Sequence, residues 1–137
     1  MTSIESAPAI SRGALWTGRV LSTLCILFLV FDAVAHIVKP APVIDAFNRL
    51  GFPLSLAAPI GVLELVCVAV YAFPPTAALG AVLLTGYLGG AIATNLRAGS
   101  PMFAETLFPV YFGIALWAGL ILRDRRVLEL VPPRRAK

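Results

Sequence analysis

Charged side chains are scarce in this sequence: Asp, Glu, Lys and Arg together make up 13% of 137 residues, and there is one histidine, His36. A single imidazole excludes a haem held by two histidines of one protomer. Cysteine is nearly as rare. Cys25 and Cys67 stand inside apolar runs with no C-x-x-C pair and no Cys/His cluster, so zinc ribbons and thioredoxin-like chemistry have no motif to rest on. The net charge of +4 collects toward the chain ends rather than interleaving with aromatics on one face, which argues against nucleic acid as a partner. Apolar surface takes the place of charge. Hydrophobic residues reach 59% and the mean hydropathy is +0.90, above the roughly half apolar share of soluble domains. The expected fold class is all-α: one membrane domain over residues 1–137, built as a four-transmembrane-helix bundle in contact with the lipid bilayer.

Residues 1–12 are polar and read as a tail. The first span covers residues 16–38, roughly the 20 residues that a hydrocarbon core of about 30 Å requires, with Arg19 one turn inside and able to snorkel. A competing reading takes Arg12, Arg19 and the following apolar stretch as a signal peptide with Ala33-Val34-Ala35 as the cleavage site; Asp32 immediately before that site weighs against it. Residues 42–51 predict a short amphipathic helix at the interface: Pro42 suits a first turn, Val43, Ile44, Phe47 and Leu50 share one face, and Gly51 suits a C-cap. The second span, 56–73, ends at Pro74-Pro75. Thr76 is the expected N-cap of the third, 76–96, and a polar loop over 97–105 leads to the fourth, 106–122. Residues 127–137 form a second tail. Arg12, Arg19, Arg123, Arg125, Arg126, Arg134, Arg135 and Lys137 lie on one side, eight basic groups, against Lys39, Arg49 and Arg97 on the other. Both termini are therefore expected in the cytoplasm.

Polar residues within the spans carry the functional reading. In the first span Gly18, Ser22, Cys25, Leu29, Asp32 and His36 recur at four- and three-residue steps and so share one face. In the second, Ala57, Gly61, Glu64, Val68 and Tyr71 do the same. Gly86, Gly90 and Thr94 form a small-residue stripe in the third, which suits either packing between helices of one chain or a homodimer seam. A rise of about 1.5 Å per residue places Asp32, His36, Glu64, Asn95 and Tyr111 in one outer layer. A carboxylate there costs roughly 2.5–3.5 kcal/mol on insertion scales unless it is paired or uncharged. A polar pocket lined by Asp32, His36, Glu64, Tyr87 and Asn95 follows as the expected site, with Gly86 and Gly90 in helix packing. Bland readings stand beside it: Asp32 and His36 as a structural pair one turn apart, and Glu64 as a hydrogen-bonded neutral carboxyl. No metal is expected, because no fourth ligand is spelled out beside the two carboxyls and the imidazole.

The succession Phe31-Asp32, His36, Lys39-Pro40, FNRLGFP (47–53), IGVLELVC (60–67), LLTGYLGG (83–90), TLFPVY (106–111) and LRD (122–124) resembles the DoxX-like family of bacterial membrane proteins. The resemblance runs over about residues 18–126. It implies four transmembrane helices in a bacterial inner membrane, and it raises association with a quinone or thiosulfate redox system through an oxidoreductase partner. It supplies no catalytic residues. The expected function is thus an accessory or binding subunit whose pocket takes a quinone, a lipid or a partner helix, with no other cofactor and with a homo-oligomer compatible. The alternative is a small proton-coupled carrier titrating Glu64, although the broken-helix signature of carriers is missing. An enzyme would need a nucleophile with a positioned base, or a metal, and neither is spelled out.

Overall fold

A computed structural model describes residues 10–129, and among them every regular element is helical. The expected tails fall largely on residues 1–9 and 130–137, which lie outside the described residues. Helix α1 spans Arg12–Val38, α2 Ala41–Leu50, α3 Ala57–Ala72, α4 Ala77–Ala98, α5 Phe108–Arg123 and α6 Arg126–Glu129. Counting their leading turns, α1, α3, α4 and α5 are each long and apolar enough to cross a membrane. Leu24, Leu27, Phe31, Val62, Val66 and Ile114 point outward and are exposed, the pattern expected where lipid rather than water is the solvent.

The helix ends follow local chemistry. Ser11 caps α1 by accepting the Ala14 N–H at 3.1 Å, so Arg12 opens the helix instead of closing a tail. Lys39 ends it in the left-handed region, at φ 58°, a conformation that disfavours a side chain and commits the chain to turn before Pro40. Pro42 lies in the first turn of α2, and Gly51 closes that helix at φ 70°. Two expectations at the other turns are corrected. Thr76 does not cap α4; its hydroxyl donates back to the carbonyls of Val70 and Phe73, and this pins the Pro74-Pro75 turn to the end of α3. The expected loop 97–105 ends in a wide helical turn, Met102–Thr106, which runs into the first residue of the expected fourth span. Of the tail expected over 127–137, the described residues up to Glu129 belong to α6, and Val127 is buried against the core.

Four helices close a ring in which α1 packs on α3 and α5, and α4 packs on the same two. The ring has two ends, a terminal end where α1 starts and α5 stops, and one bearing α2. Toward the terminal end the helices touch through glycine. A Cβ on Gly18 would stand 2.9 Å from the Gly119 carbonyl oxygen, and one on Gly80 would overlap the Tyr71 backbone. Tyr71, itself wholly buried, donates its hydroxyl to the Leu116 carbonyl at 2.8 Å and lies 3.1 Å from the Ser22 hydroxyl. The Arg123 guanidinium sits over the Tyr71 ring, 5.1 Å from its centroid. Leu84, Leu116 and Leu120 complete a solid core.

Candidate functional site

At the α2 end the same four helices leave space. Gly61 begins the arrangement: a Cβ there would meet the Ala33 carbonyl oxygen at 2.5 Å and the His36 Cβ at 3.0 Å, so the missing side chain lets α3 lie directly on α1. One turn further along α3, Glu64 is thereby carried to the His36 ring. The imidazole Nδ1 is 2.9 Å from the Asp32 backbone carbonyl, 3.5 Å from Asp32 Oδ2 and 3.8 Å from Glu64 Oε2. From α4, the Tyr87 hydroxyl donates to the same Glu64 oxygen at 2.9 Å. Three helices thus deliver four polar groups to one spot.

The Glu64 side chain is 0% exposed, and its second oxygen, Oε1, has no hydrogen-bond partner. A buried acceptor left unpaired costs about 1–3 kcal/mol, more when charged, and no lysine or arginine lines the space around it among the described residues. That space is a cavity of about 670 Å³, within the range of small-molecule sites. Its apolar wall is aromatic: Phe28, Phe108 and Phe112 stack on one another with centroids 5.1–6.1 Å apart. Phe47 closes it from α2, its ring 5.7 Å edge-on to His36. Helix α2 is held over the opening by surface contacts: Arg49 pairs with Glu105 at 3.1 Å, while Arg97 donates to the Leu50 carbonyl and covers the Phe52 ring.

Asp32, His36, Glu64, Tyr87 and Asn95 all line this cavity. Asn95 is tied down, since its amide donates to the Ala91 carbonyl of its own helix at 3.0 Å. Tyr111, expected in the same layer, is half exposed and lies outside the lining. Packing within the chain at Gly86 and Gly90 is corrected: both are exposed, a Cβ at either would meet nothing within 4 Å, and both line the cavity. The close helix contacts belong to Gly18, Gly61, Gly80 and Gly119 instead. Sequence reading passed over Phe28, Phe108 and Phe112 because an aromatic on an apolar span carries no sign of facing a cavity rather than lipid. Cys25 and Cys67 are both buried free thiols, and Cys67 reaches the cavity wall.

The family model described as the DoxX-like family matches residues 20–119, from the third turn of α1 to about one turn before the end of α5. The chain belongs to the DoxX-like family. Searches of curated proteins and of solved structures gave no match. As a DoxX-like chain with four apolar spans, it is a multi-pass membrane protein in contact with the lipid bilayer. The match takes in every residue of the polar cluster.

Proposed function

We propose that this DoxX-like protein is an accessory subunit of a bacterial inner membrane, and that it receives a quinone-class amphiphile in the cavity at the α2 end. The observation that carries the reading is the division of the cavity wall: an aromatic side formed by Phe28, Phe108 and Phe112, and one polar cluster whose buried Glu64 oxygen has no partner. An apolar body fits the first, and the hydroxyl that the reduced form of a quinone carries is the donor that the second lacks. Tyr87 fixes the Glu64 carboxyl, and Gly86 and Gly90 leave the wall open toward the bilayer, where such a molecule resides. With the basic residues drawn to the cytoplasmic side, the cavity faces the outer half of the membrane, and an oxidoreductase partner would exchange the ligand there. A carrier would need a second opening at the terminal end, where Tyr71, Leu84, Leu116 and Leu120 are packed shut.

The test is purification in mild detergent, followed by solvent extraction and identification of bound molecules, and by titration with a short-chain quinone. Sub-stoichiometric or full quinone occupancy, reduced at least about tenfold in Phe112→Ala, supports the reading. Empty protein that fails to bind added quinone overturns it. A reporter fused after Ala136 is expected in the cytoplasm, and periplasmic activity would reverse the orientation.

A further inference from the structure

We propose that Asp32, His36 and Glu64 form a binding site for one divalent transition-metal ion of the zinc class, set in the cavity wall. The inference goes beyond the ligand reading and does not depend on it. Each of the three residues offers a donor atom, and these lie within 4.8 Å of one another. The separations from His36 Nδ1 to the two carboxylate oxygens are 3.5 and 3.8 Å. Donors about 2 Å from zinc at tetrahedral angles stand about 3.3 Å apart, so the two His36 separations need shifts of a few tenths of an ångström, and the two carboxylates close from no more than 4.8 Å. The imidazole narrows the class of ion, because calcium and magnesium favour oxygen ligands alone.

Charge and burial point the same way. Two carboxylates and a neutral imidazole around a doubly charged ion sum to zero, beside a cavity lining that among the described residues includes no lysine or arginine to balance them. The wholly buried Glu64 carboxylate keeps an unpartnered oxygen. This is an independent sign that the cluster's bonding capacity is unfilled. Tyr87 donates to Oε2, the same oxygen that faces His36 Nδ1, and so orients the carboxylate as outer hydrogen bonds do in metal sites, with Oε1 left as a further donor. On binding, Nδ1 gives up its hydrogen bond to the Asp32 carbonyl, and the neutral ring carries its proton at Nε2. Three protein ligands leave the fourth position open to the cavity.

The experiment uses the full chain without a histidine tag, purified in detergent, stripped with chelator and desalted. Zn²⁺ is titrated by calorimetry and Co²⁺ by visible absorption. One ion per chain, with the intense visible bands of four-coordinate cobalt, is expected. Glu64→Gln and His36→Gln abolish saturable binding, and Tyr87→Phe weakens it about 10-fold or more. Should the Glu64 or His36 variant fail to fold, Asp32→Asn at the cavity mouth, scored on the same cobalt bands with a gel-filtration control, decides. Absence of saturable binding to the wild type, or unchanged binding in folded variants, overturns the proposal. Repeating the quinone titration in chelator separates the two readings: quinone binding without metal binding removes only this one, and metal binding without quinone binding removes only the other.

Discussion

The two halves of the bundle are made of the same helices, and each buries one polar side chain completely, Tyr71 and Glu64, with opposite outcomes. Toward the terminal end, the Tyr71 hydroxyl is wholly buried, yet it donates to Leu116 and meets Ser22, and Arg123 covers its ring. Toward the α2 end, Glu64 is as deeply buried and has one oxygen unanswered. Glycine differs in parallel. Gly18, Gly80 and Gly119 draw backbones together in the first half, whereas in the second Gly61 does so but Gly86 and Gly90 leave an opening. A buried polar residue whose bonds are filled from within the chain holds a fold, and one whose bonds are unfilled keeps a place for something else.

Substitutions that cross this boundary test it. The largest effect is expected for Gly80→Leu, whose Cβ would occupy the position of the Tyr71 backbone. It should cost at least about 3 kcal/mol, the upper end of overpacking, seen as loss of monodisperse protein in detergent. Tyr71→Phe comes next. Removing the hydroxyl strands the Ser22 hydroxyl in the core, and a fall of about 1–3 kcal/mol in unfolding free energy is expected. Glu64→Gln keeps size and the contact with Tyr87, so thermal stability should stay within about 1 kcal/mol of the parent, while any phenotype that depends on the cavity is lost. A Gln variant as unstable as Gly80→Leu would erase the distinction between the halves and make the carboxylate a structural pin. The smallest change is expected for Arg49→Ala, which breaks an exposed pair with Glu105. About 0–1 kcal/mol is lost, and limited proteolysis near α2 should accelerate with the melting temperature nearly unmoved.

Sequence made the spans and α2 legible because proline, glycine and helical periodicity act locally. Residues 42–51 were expected and Ala41–Leu50 is found. The inward faces of α1 and α3 were legible for a related reason: polar groups spaced along one side of an apolar helix must avoid lipid. What stayed hidden depends on neighbours. The Gly86/Gly90 spacing marks a small-residue face, but nothing in it tells whether a helix or a cavity lies opposite. Gly80 and Gly119 gain their meaning only from Tyr71 and Ser22, which come from other helices. Asp32 and His36 are a turn apart on one helix, while their convergence with Glu64 is set by the contact of Gly61 with Ala33 across α1 and α3. Thr76 reads as a cap from its position alone, and only the fold shows its hydroxyl turned back toward Val70.

That last bond has a mechanical consequence. The Pro74-Pro75 turn, the Thr76 hydroxyl and the Gly80–Tyr71 contact clamp α3 and α4 together at the terminal side, whereas toward the α2 end the Tyr87–Glu64 hydrogen bond is the side-chain bond that joins them. A helix of 22 residues such as α4 is about 33 Å long, and a tilt of about 5° at the clamped end carries its far end by about 3 Å. At Leu83, six residues into α4, the same tilt amounts to about 0.8 Å, and the shift grows along the cavity wall toward Asn95. The clamp thus confines motion to the end where the cavity lies, and leverage along the helix amplifies it there.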